Sequence, residues 1–153
     1  METAIAAVHV LAACVWVGGT VALVFAAVPV LRRAEGPERA DAMRALGRRW
    51  RPLGWGAMAV AILTGILLAE DAGALHRASL DTSFGRILLV KAALVVLLIA
   101  GSLVHNLVLG PKLQRELRAG LPQRTRPRMV AVGWTNFALT IAVPVLGVVM
   151  ARL

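Results

Sequence analysis

The sequence predicts an all-α integral membrane protein, a bundle of four transmembrane helices with the N and C termini outside. Two observations give the class: 59% of the 153 residues are hydrophobic, and the mean hydropathy is +0.76. Water-soluble domains average about 45–50% apolar residues, so this excess has no soluble core to fill. The third observation is a net charge of +9. On so apolar a chain, basic charge favours a membrane protein over a nucleic-acid binder, which carries its charge on a polar surface.

Four apolar stretches are long enough, or nearly so, to cross about 30 Å of hydrocarbon, which takes about 20 residues. We place these spans at about residues 3–31, 53–69, 87–110 and 129–151. We expect each to be helical because hydrocarbon offers the backbone no hydrogen-bond partners. They form one membrane domain over residues 1–153, in which no internal repeat is evident.

Basic residues cluster in the two connections at residues 32–52 and 111–128. The first holds seven arginines, and the second holds one lysine and five arginines. The positive-inside rule places both loops in the cytoplasm and both termini outside, which makes this a multi-pass protein of the bacterial cytoplasmic (inner) membrane. We expect these loops to contact anionic lipid headgroups and not nucleic acid. In the first loop, apolar residues recur at helical spacing, which predicts either a short surface helix or an extension of the second span.

Three ionisable residues lie inside the predicted spans: His9, Lys91 and His105. Such groups are costly in hydrocarbon and are therefore candidates for function. At about 1.5 Å per residue, His9 lies roughly 9 Å and Lys91 roughly 6 Å below the outer surface. Lys91 can face the bundle or extend to the outer interface. His105 lies roughly 21 Å further along the third span, where an interfacial histidine with a satisfied hydrogen bond is the simpler interpretation.

Small residues surround His9 on its own helix, and Trp16 and Gly19 follow it along the chain. Small residues either let helices pack closely or leave room for a flat ligand beside the imidazole. Haem needs only one or two axial ligands and a large apolar slot. We therefore predict haem b, bound by His9 and Lys91 with Trp16 and Gly19 beside it. The protein would then take part in membrane redox or electron transfer, for instance as a haem-dependent oxidoreductase.

Two other functions remain open. Copper is the alternative cofactor, with His9 and His105 as candidate metal ligands. Copper sites combine Cys, Met and His. Cys14 projects from a different side of the first helix than His9. The third is a structural subunit of a membrane complex without a cofactor. No catalytic residue is identified, because no span carries a carboxylate. The expected partners are the lipid bilayer, a redox partner or copper-binding protein, and a second copy of the chain, since so small a bundle leaves little interior for a haem.

Two segments resemble a known family. The run VHVLAACVWVGGTVAL, which contains His9, Trp16 and Gly19, resembles the first span of the CopD-type copper-resistance membrane family. The runs FGRILLVKAALVVLL, with Lys91, and HNLVLGPKL, with His105, resemble the entry and the close of a later span of that family. The related HemJ-type protoporphyrinogen oxidases share the early His, Trp and Gly and the later Gly-to-Lys segment.

Both resemblances imply a four-helix membrane unit. The resemblance to CopD implies copper uptake or copper homeostasis. The resemblance to HemJ implies a b-type haem bound through His9, with Lys91 needed for activity.

Overall fold

The computed structural model describes residues 2–76 and 81–152, and within these ranges the chain forms long helices and no strand. Four of them are long and apolar enough to cross a membrane. These are α1 (Glu2–Leu31), α2 (Gly36–Asp71), α3 (Ser83–Arg118) and α4 (Arg126–Met150). The predicted bundle of four membrane-spanning helices is confirmed.

The second helix begins much earlier than the predicted span. α2 starts at Gly36 instead of residue 53, so most of the first basic connection, residues 32–52, is helical. Of the two structures predicted for this segment, the extension of the second span is the one present. Arginine, alanine and leucine are good helix formers, so the segment continues the helix into water.

The third helix also extends beyond its predicted span, through Arg118, which shortens the second basic connection of residues 111–128. The two extensions contact each other. Arg44 Nε donates a hydrogen bond to Gln114 Oε1 at 3.2 Å, and Arg118 forms an ion pair with Asp41. These contacts stabilise helical structure that hydropathy alone does not predict.

The four helices form two antiparallel hairpins, α1 with α2 and α3 with α4. We call the end of the bundle at which α1 begins and α4 ends the terminal end. The arginine-rich connections lie at the opposite end, which we call the basic end. A core cluster of Trp16, Ala57, Met58 and Leu98 joins the two hairpins. Nearer the basic end, Phe25 of α1 makes edge-to-face contacts with two aromatic rings of α4.

The second hairpin repeats the first with an offset of 82 residues, so the expectation of a chain without an internal repeat is wrong. Gly19 and Gly101 are 82 residues apart, as are Gly65 and Gly147. Each of these four glycines receives a side chain from the same or the neighbouring helix of its hairpin. The same offset relates His9 to Lys91.

The backbone repeats as well. The first helix of each hairpin contains a π-helical turn, Leu23–Ala27 in α1 and Val104–Leu109 in α3. A proline follows each turn at the same distance, Pro29 in α1 and Pro111 in α3. Because both hairpins run in the same direction, this is a parallel repeat, a construction found in membrane transporters, where substrate sites lie at the interface between repeats.

Candidate functional site

The His9 imidazole is held at the terminal end by a hydrogen bond between α1 and α2. Its Nδ1 lies 3.0 Å from Oγ1 of Thr64. The Thr64 hydroxyl lies 2.6 Å from the Val60 carbonyl oxygen and 3.2 Å from that of Ala61. When the hydroxyl donates its proton to the Val60 carbonyl, Oγ1 accepts a hydrogen bond from Nδ1–H of His9. In that tautomer Nε2 is unprotonated and its lone pair can bind a metal ion.

Glycines on the facing helices make room for both ionisable side chains of this end. A Cβ atom at Gly65 of α2 would lie 3.1 Å from Cε1 of His9. A Cβ at Gly147 of α4 would lie 3.2 Å from Nζ of Lys91. A larger side chain at either position would push the imidazole or the ammonium group away, so the two glycines help to position these groups.

His9 and Lys91 both lie toward the terminal end of the bundle. Both side chains are half-buried, and each lies against a glycine of the other helix of its own hairpin. Each hairpin contributes one of the two residues, at positions that the internal repeat makes equivalent. We call His9, Thr64, Lys91 and the two facing glycines the terminal-end site.

Trp16 and Gly19 lie deeper, in the packing between the helices. Trp16 is buried in the core cluster with Met58 and Leu98. Gly19 is covered by the indole of Trp50, which a Cβ at this position would overlap. The space predicted for a flat ligand beside Gly19 is therefore occupied by a side chain of α2. Trp50 is therefore a helix-packing residue.

His105 forms a separate polar position near the basic end. Its Nδ1 lies 3.4 Å from Oδ1 of Asn106, a weak hydrogen bond, and its Nε2 faces Gly133 of α4, 3.7 Å from the Cβ position. One turn nearer the terminal end, the side-chain amide of Asn136 packs against Gly101, where a Cβ atom would overlap it. The structure does not bring His105 to His9.

A multidentate metal cage is not formed by the part of the chain that the structure describes. No group of three or more His, Cys, Asp and Glu side chains converges there, and Cys14 is exposed on the outside of α1. His9 and His105 are thus two single imidazoles, one toward each end of the bundle.

The sequence does not reveal the contacts of Thr64, Trp50 and Asn136, the side chains that complete these positions. The sequence carries one signal of these positions. Gly19 and Gly101 are 82 residues apart, as are Gly65 and Gly147, which indicates equivalent contact positions in the two hairpins. Which side chain packs against each glycine cannot be predicted from the sequence, because the register of one helix against another is a tertiary property.

The fold and its site define a multi-pass membrane protein with polar groups held between apolar helices. The family model for CopD, copper resistance protein D, matches residues 43–151, which is more than two thirds of the chain. The chain belongs to the CopD family. The matched range covers α3, α4 and most of α2, and it includes Lys91 and His105 but not His9. Neither a curated protein nor a solved structure matches the chain.

Proposed function

We propose that this protein moves copper through the bacterial inner membrane and contributes to copper homeostasis. The family match carries the proposal, since it extends over most of three helices of a four-helix bundle. Copper is here the cargo, and the protein's task is to bind it at one end of the bundle and release it at the other. Two imidazoles at different depths suit such a task, because imidazole is a good copper ligand.

His9 is the ligand that we propose for copper at the terminal end. Its Nε2 carries the free lone pair, and the Nδ1–H bond to Thr64 holds the ring in one orientation. Metal-binding histidines almost always donate their second ring N–H to a partner in this way, which sets the tautomer. His105 is the corresponding ligand near the basic end, on the way out of the bundle.

Lys91 makes copper binding at His9 reversible. An ammonium group close to the imidazole repels a second cation at short range, and the repulsion is stronger in a low dielectric than in water. Weak binding suits an ion that is passed on instead of stored. A copper-binding protein that delivers the ion to the terminal end is the partner that this proposal favours.

Copper content of cells tests the proposal. A strain that lacks the gene is compared with the same strain carrying the wild-type gene or the His9→Ala, His105→Ala or His76→Ala variant. We expect the wild-type gene to change copper tolerance and cellular copper, and His76→Ala to do the same, since His76 lies in the connection after α2. His9→Ala and His105→Ala should behave like the deletion. Equal copper content in the deletion and wild-type strains would reject a role in copper movement.

The visible spectrum of the purified protein compares copper with haem b, the cofactor first predicted from sequence. Neither the family match nor the packing of Trp50 against Gly19 supports haem. We expect no Soret band after expression with ample haem. A strong Soret band that disappears in His9→Ala would replace the copper proposal with haem binding. Co-purification with another membrane protein, without copper or haem, would favour the structural role.

A further inference from the structure

A cavity of about 300 Å³ opens at the basic end of the second hairpin. Three of its five lining residues are cationic: Lys112, Arg124 and Arg128. The other two are Leu109, which is 9% exposed, and Thr125. We call this the basic cavity.

The basic cavity lies where the apolar part of the hairpin ends. Leu109 belongs to the last apolar turn of α3, and Lys112 follows three residues later. Arg128 lies in the first turn of α4, before its apolar stretch begins. Apolar and cationic lining residues therefore meet where the apolar part of the hairpin ends, which is where headgroups are expected.

The three cations have no carboxylate partner in the described ranges. The one ion pair found there joins Arg118 to Asp41, outside the cavity. Glu116 of α3 accepts hydrogen bonds from the Thr125 backbone N–H at 3.1 Å and from the Thr125 hydroxyl at 2.7 Å. The lining therefore presents three cationic side chains against the one carboxylate bound to Thr125, and this excess of positive charge is available to an anion.

The internal repeat shows that this lining is particular to the second hairpin. The residues 82 positions before the three cations are Val30, Ala42 and Leu46, none of which is charged. Basic charge that served only to orient the protein in the membrane would not need to converge on one cavity.

We propose that the basic cavity binds the phosphate group of an anionic phospholipid. Basic pockets between transmembrane helices bind anionic headgroups, and arginine forms paired hydrogen bonds to phosphate oxygens. The apolar side chain of Leu109 contacts the start of an acyl chain. A free phosphate ion shares the chemistry of the headgroup but lacks that apolar contact.

Thermal unfolding of the full-length protein in a neutral detergent tests this inference. The probes are phosphatidylglycerol, zwitterionic phosphatidylcholine and inorganic phosphate. Saturable stabilisation by phosphatidylglycerol alone supports a lipid site. Saturable stabilisation by inorganic phosphate at equal concentration supports a phosphate site but replaces the lipid as its source. No difference between phosphatidylglycerol and phosphatidylcholine, with no effect of phosphate, would overturn the proposal.

Charge-neutral variants locate the site. Each Lys or Arg near an anionic surface contributes about fivefold in binding, so Lys112→Gln/Arg124→Gln/Arg128→Gln should weaken the lipid effect about a hundredfold. The control Arg48→Gln/Arg49→Gln/Arg115→Gln removes the same charge from exposed positions outside the cavity and should leave most of the effect. Equal loss in both variants would mean general charge attraction and refute the site. Arg124→Gln alone, in the connection before α4, gives about a fivefold loss if the triple variant does not fold.

Discussion

The Trp50 indole occupies the space left by the missing side chain of Gly19, which we call the notch at Gly19. This contact gives a prediction that depends directly on the packing of the first hairpin. The Trp50 indole lies between Gly19 of α1 and Gly54 of its own helix, and a Cβ at Gly54 would be 3.1 Å from Cε2 of the ring. A methyl group in Gly19→Ala would overlap the ring from the other side. Because Gly54 closes the opposite side, the indole must leave the notch.

The magnitude follows from comparing two neighbouring glycines. Adding a methylene-sized group to a well-packed contact costs about 1–3 kcal/mol. Gly18 has no atom within 4 Å of its Cβ position, so Gly18→Ala carries the same change in helix propensity without the overlap. We expect Gly19→Ala to be less stable than Gly18→Ala by about 1–3 kcal/mol.

Reversible unfolding in mixed detergent and dodecyl sulfate micelles, followed by far-ultraviolet circular dichroism, measures this difference. The same two substitutions are then made in a Trp50→Ala background, where the cycle isolates the contact between the two residues. The difference between Gly19→Ala and Gly18→Ala should disappear there. Equal stability of the two single variants with Trp50 present would refute this account of the notch.

Three further variants test the polar positions. Thr64→Val removes the acceptor for the imidazole and should cost about 0.6–1.7 kcal/mol and lower copper transport; Thr20→Val, whose hydroxyl bonds only to its own helix, should leave transport unchanged. Lys91→Gln removes the repelling charge and should tighten copper binding severalfold in an equilibrium titration, and weaker binding would contradict the repulsion. Gly101→Ala displaces the Asn136 amide, at a cost of about 1–3 kcal/mol in unfolding experiments, and Asn136→Ala should relieve that cost.

The membrane class and the four helices were readable from sequence because hydrocarbon imposes one solution on the backbone. Stretches of about 20 apolar residues must be helical there, and their number is counted directly. The helix ends in water follow no such constraint. The segment from Gly36 to residue 52 is helical partly because its extension contacts Gln114 and Arg118 of α3, which sequence hydropathy does not reveal.

The candidate site was readable only in part. His9 and Lys91 stand out because charge in an apolar span is costly, and helical rise gives their depth. Their partners lie on other helices, and Thr64 and Gly147 carry no local signal of that pairing. Small residues such as Gly19 were ambiguous, since a gap in one helix is either empty or filled by another. The structure resolves the ambiguity by placing Trp50 in the gap.

Copper flux into proteoliposomes tests the central claim most directly. Purified wild-type protein, His9→Ala and His76→Ala are reconstituted at equal density, and copper inside the vesicles is measured over time under reducing conditions. We expect flux above that of empty vesicles for wild type and His76→Ala, and near-background flux for His9→Ala. Flux through His9→Ala equal to wild type would show that copper does not pass by the terminal-end site, and background flux in the wild type would contradict copper transport itself.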